Sequence, residues 1–287
     1  MKYPELKRVF PVFYILTAVT VAVRFALCFT IIDPETGFYS YNAIGMACQW
    51  GFNLLLAAAA LAFFWFGRVP LPADGLIIPK MNKAACVALI AAGLLCEMSA
   101  LYTGVNEVMA LLDGYELILR NALPALFNSI AGLLLIYTGI LAFTGKQRRT
   151  GLIPAVVVII WSAVLLVSTF LSYPISYHVS DNMLHILALC CAAFLMASFF
   201  KAILGVGPRP AVRKTIFFGL LTAYFGLTLA LPRLVQLWIN RINVLVPAAG
   251  QEDLYLLLAL SAFGFFAARS MTGVEQAPPQ QPFTALE

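Results

Sequence analysis

The sequence predicts an all-α polytopic integral membrane protein, a bundle of about eight transmembrane helices. Three observations predict it. Of 287 residues, 62% are hydrophobic and only 11% are charged, against about 45–50% and about 25% in a soluble globular chain. The apolar residues gather in runs of about 20, the length that crosses about 30 Å of hydrocarbon. The few charges lie between the runs. The same shortage of charge excludes an ordinary soluble enzyme, a disordered chain and a nucleic-acid binder. A core of this composition lacks a charged shell and needs the lipid bilayer as its outer solvent.

The runs cover residues 9–32, 45–66, 84–104, 117–143, 152–173, 183–204, 215–231 and 254–271. The first has Lys2, Lys7 and Arg8 before it, as a secretory signal would. It is too long for a signal core, contains Arg24, and leads into Asp33, Pro34 and Glu35 without a small-x-small cleavage site, so it reads as a retained span. Connections 67–82, with Pro70, Pro72 and Pro79, and 205–214, with Pro208 and Pro210, carry the chemistry of turns. The connection 232–253 has Leu234, Val235, Leu237, Trp238, Ile242 and Leu245 at roughly helical spacing. It predicts a short helix lying in the membrane interface with Trp238 as anchor. Residues 1–274 form one transmembrane domain, and residues 275–287, rich in Pro and Gln, a disordered cytoplasmic tail.

Alternating the eight runs across the membrane sorts the charges. One side receives Lys2, Lys7, Arg8, Arg68, Lys80, Lys83, Lys146, Arg148, Arg149, Lys201, Arg209, Arg213, Lys214 and Arg269. The other receives Arg120, Arg233 and Arg241 with most of the acids, including Glu107, Asp113, Asp181 and Asp253. Basic loops face the cytoplasm, so both termini are expected inside the cell membrane. The net charge of +5 is thereby explained as topology and carries no nucleic-acid signal. An ungapped match of 42–70 with 182–210 pairs Asn42 with Asn182, Leu55 with Leu195, Ala57 with Ala197 and Pro70 with Pro210, among others. It is close to chance in so apolar a window; a real repeat would make two parallel halves of four helices each.

Ionisable groups inside a span are costly and need a partner or a wet cavity. Arg24, Glu97 and Arg120 fall roughly 12, 10 and 5 Å below the outer surface at about 1.5 Å per residue. His185 enters its span from the same side, and Gln49, Asn53 and Asn128 lie at outer or middle depth. Two readings follow. These residues line an outward-facing cavity for a small polar or anionic solute, or Glu97 pairs with Arg24 or Arg120 and the amides hold helices together.

Other chemistry is thinly supported. His178, Asp181 and His185 have metal-like spacing, but Pro174 and Ser180 place the helix start near Asp181, which then complements the helix N-terminus. No metal, cofactor or catalytic residue is expected. Cys28, Cys48, Cys86, Cys96, Cys190 and Cys191 all lie in spans as packing residues. Gly132 with Gly139, and Gly219 with Gly226, share helix faces suited to close packing. Paired aspartates of the prenyl-transferase kind, a G-x-S-x-G elbow and H-E-x-x-H are absent from the sequence.

The leading expectation is a small secondary carrier, with Glu97 able to couple a proton. The alternatives are a membrane sensor or accessory subunit acting through a membrane partner protein, and an intramembrane enzyme using Glu97 and His185.

Overall fold

The computed structural model describes residues 7–32, 39–40, 42–66, 76–77, 80–114, 119–172, 180–240, 251–273 and 275–276. Eight helices carry the fold: α1 (Val9–Thr30), α2 (Ala43–Phe66), α3 (Lys83–Leu112), α4 (Leu119–Phe143), α5 (Leu152–Ser172), α6 (Ser180–Ile203), α7 (Pro208–Asn240) and α8 (Gln251–Met271). Each is long and apolar enough to cross a bilayer. The chain is a multi-pass helical membrane protein in contact with lipid. Among the described residues, β structure amounts to a two-residue antiparallel pair, Leu76–Ile77 with Glu275–Gln276, and a single bridge between Ile32 and Tyr39.

The core lies around α7, in which 78% of an 18-residue apolar stretch is buried. It packs on α6 and α8 and also meets α1 and α2. A chain of neighbours, α8 on α3, α3 on α4, α4 on α5 and α5 on α6, completes the bundle and leaves the α1–α2 hairpin at its edge. Glycines set the closest approaches. A Cβ added at Gly219 would lie 2.5 Å from the Gly264 carbonyl oxygen, and one at Gly132 would lie 2.8 Å from that of Gly93, so α7–α8 and α3–α4 touch backbone to backbone. Gly226 and Gly139 extend the same two seams, against Ser261 and Ile90.

One end of the bundle is stitched by short contacts. The Met81 amide donates to Gln147 Oε1 at 3.0 Å, and the Asn82 amide to Ser270 Oγ at 3.0 Å. Asn82 also caps α3, its Oδ1 accepting from the Ala84 amide. The starts of α1, α3, α5 and α7 and the ends of α2, α4, α6 and α8 share this end, together with Lys7, Arg8, Lys80, Lys83, Lys146, Arg149, Lys201, Arg209, Arg213, Lys214 and Arg269.

Two expectations about α7 are corrected. Pro208 and Pro210 do not prolong the turn; they open the helix, where a missing N–H costs nothing, after Gly205 and Gly207 have turned the chain at positive φ. At the other end no separate interfacial helix begins among the described residues. Residues through Asn240, Trp238 included, continue α7 across Pro232, and residues 241–250 lie outside the described residues. An internal proline forfeits one helical hydrogen bond. Here the following residues, Arg233 and Gln236, are drawn into the core by polar partners, which holds the helix together. The expected tail starts with the pairing of Glu275 and Gln276; residues 277–287 lie outside the described residues.

Candidate functional site

At the end of the bundle away from the basic residues, three charged side chains meet where α1, α6 and α7 converge. Asp181 sits in the first turn of α6, Arg24 two turns from the end of α1, and Arg233 two turns from the end of α7. Each is at most 1% exposed. One Asp181 oxygen is taken by Arg24 Nη2, and the other by Nε and Nη2 of Arg233. Taking such ions out of water costs several kcal/mol each, about, and mutual attraction offsets this only when the remaining donors are also satisfied.

Here they are. Arg24 Nη1 donates to the Tyr39 hydroxyl at 3.1 Å, and its guanidinium lies 5.2 Å from the centre of the Phe52 ring. Arg233 Nη1 donates to Gln236 Oε1 at 2.9 Å, and Gln236 Nε2 donates to the Cys28 carbonyl at 2.9 Å. That carbonyl belongs to the last turn of α1, where no helical amide remains to bond it. Tyr39 is positioned by its bridge to Ile32 and by Ser40, whose amide and hydroxyl both donate to the Ile31 carbonyl. The cluster therefore ties three helices distant in sequence and returns the α1–α2 connection onto them.

His185 follows Asp181 by one turn on α6 and is 3% exposed. Below the cluster, Thr20 on α1 and Tyr224 on α7 share a hydrogen bond of 2.9 Å.

The structure distributes the sequence-predicted residues over several places. Arg24 is in the cluster, and His185 is on the same buried face of α6. Glu97 lies at the middle of α3, half-buried against α4; Ser129 Oγ donates to its Oε2 at 3.0 Å, while Oε1 is buried without a partner. Arg24 thus has Asp181 as its carboxylate and not Glu97. Asn128 is buried between α4 and α5, its Oδ1 accepting from Trp161 Nε1 at 2.8 Å. Gln49 and Asn53 are half-buried on α2, and Asn53 Oδ1 has no partner. The Arg120 side chain and His178 lie outside the described residues. No group of three His, Cys, Asp or Glu side chains fit to hold a metal occurs among the described residues.

Arg233 and Gln236 were not expected in a site, because Pro232 reads as a helix stop and the charges beyond it as loop charges. The signal available was their three-residue spacing, which on a continuing helix puts both on one face. No protein-family model, characterised protein or solved structure matches the chain.

Proposed function

We propose that the protein is a small secondary carrier in the cell membrane that binds a small polar solute, best an anion, at the Arg24–Asp181–Arg233 cluster. The observation that carries this reading is one carboxylate held between two buried guanidiniums contributed by different helices. Planar guanidinium forks match a carboxylate in shape and charge. A solute carboxylate can exchange with Asp181, and its arrival would then free α6 from α1 and α7. In this proposal the basic end is cytoplasmic, with both termini inside, and the cluster faces outward. A parallel relation between two four-helix halves would be compatible with it. Glu97, at mid-span with one oxygen unpartnered, is the group proposed to couple a proton.

The test is uptake of radiolabelled small carboxylates, phosphate and neutral polar solutes into proteoliposomes, with and without a pH gradient. Uptake of a carboxylate is expected, and Arg24→Lys and Arg233→Lys each reduce it by at least about tenfold, because an ammonium cannot reproduce the fork. Failure to transport anything in the panel would overturn the reading. The complete burial of the cluster favours a second reading, a sensor or accessory subunit whose bundle is locked until a membrane partner protein opens it. Co-purification of a partner by a transport-inactive chain would support that one.

A further inference from the structure

We propose that the solute crosses between the α1–α2 hairpin and α7, past the hydroxyls of Thr20, Tyr224 and Thr17, and that Thr17 is a solute contact near mid-membrane. This rests on the carrier reading and goes beyond it by assigning a route and a second binding group.

The buried face of α1 is polar where it meets α7. Thr17, Thr20 and Arg24 follow one another at spacings of three and four residues, and all are buried. They descend from the ion cluster by about 10 Å at the helical rise of about 1.5 Å per residue. Thr20 is joined to Tyr224. Thr17 is 8% exposed, yet its hydroxyl has no hydrogen-bond partner. Helical threonines commonly bond the carbonyl four residues back, and Thr215, Thr222 and Thr228 on α7 do so at 2.7–2.8 Å. Thr17 leaves this local bond unmade, as does Thr138 of α4, but Thr17 lies on the polar face that leads down from the ion cluster.

Beyond Thr17 the polar stretch ends at aromatic rings. Phe13 stacks on Phe265 of α8 at 5.5 Å and meets Phe63 of α2 at 5.7 Å, while Phe63 stands edge-on to Tyr224 at 5.3 Å. The hydroxyls therefore lie between an ion latch at one end and an aromatic plug at the other. Opening the latch requires α1 to part from α6, and opening the plug requires α1 and α2 to part from α8 and α7. The hairpin is placed for that: 33% and 22% of the 18-residue apolar stretches of α1 and α2 are buried, against 78% of that of α7.

A solute met first by two arginines and then by hydroxyls is a small carboxylate with a second hydrogen-bonding group, such as a 2-hydroxy or 2-amino acid. Carboxylates lacking that group should be poorer substrates. The experiment compares uptake of lactate and alanine with uptake of propionate. The parent is expected to prefer the substituted acids, and Thr17→Val to lower their uptake about tenfold, toward the propionate level, with a Tm no lower than the parent's. In a second variant, Phe13→Cys with Phe265→Cys is made in a chain whose native cysteines are replaced. Joining the pair with a short reducible linker should stop uptake, and reduction should restore it. No uptake by the parent would overturn the carrier reading and this route with it. Parent uptake that survives both Thr17→Val and a complete cross-link would overturn the route alone.

Discussion

Asp181 and Glu97 are both carboxylates set into apolar helices, and their surroundings differ. Asp181 has both oxygens bound by arginines from two other helices. Glu97 has one oxygen bound by a serine hydroxyl and the other by nothing, in a seam where Gly93 and Gly132 bring α3 and α4 together. The first carboxylate is part of what holds its helices in place. The second sits beside an interface that closes through backbone packing and does not need its charge. Inside a helix bundle, an ionisable group can therefore be either a fastener or a passenger, and the count of its partners separates the two.

The largest effect should come from removing the fastener. Asp181→Asn leaves two buried guanidiniums facing an amide that can accept from one of them. Breaking a buried pair in this way costs about 3–5 kcal/mol. Reversible unfolding in mixed micelles should register that loss, and converting Asp181, Arg24 and Arg233 together to apolar residues should recover most of it, since the penalty arises from uncompensated charge. A loss below about 1 kcal/mol for Asp181→Asn, the range of exposed pairs, would mean that water reaches the cluster.

The same contrast shows what could be read from the sequence. The eight spans were legible because hydrocarbon thickness dictates run length, and that constraint acts locally along the chain. The helix ends were less legible: α3 runs on to Leu112 and α7 from Pro208 to Asn240, well past their apolar runs. Arg24 stood out as a charge inside a span. Its partner did not, because Asp181 has an adequate local explanation as a helix-start acid, and Arg233 lies beyond a proline that usually stops a helix. Which carboxylate meets which arginine is decided by helix neighbours, and one sequence does not encode those in any local pattern. The glycine seams were half legible. Seven-residue spacing put Gly132 with Gly139 and Gly219 with Gly226 on shared faces, while the facing Gly93 and Gly264 emerged only from the packing.

An intermediate effect is expected at the seam beside Glu97. Gly132→Ala would place a methyl group 2.8 Å from both the Gly93 carbonyl oxygen and Glu97 Oε1. Backbone cannot yield as a side chain does, so the two helices must separate, at a cost of about 1–3 kcal/mol. Gly104→Ala, on the same α3, meets nothing within 4 Å and should stabilise by up to about 1 kcal/mol through helix propensity alone. If both substitutions shift the unfolding midpoint in the same direction, the seam is looser than its geometry implies.

The smallest effect on stability should come from Glu97→Gln. The amide oxygen keeps an acceptor for Ser129 Oγ, so the one bond Glu97 makes survives, and the position without a partner passes from a carboxylate oxygen to a neutral NH2 group. Burying a neutral polar atom costs less than burying a charge, so the change should be within about 1 kcal/mol and toward greater stability. Such a result would leave Glu97 free of any fastening role and make transport the informative readout: as the coupling group, its replacement should abolish the stimulation of uptake by a pH gradient while leaving equilibrium exchange of solute intact. A loss of stability comparable with that of Asp181→Asn would instead show that Glu97 is a second fastener, and the distinction between the two carboxylates would fail.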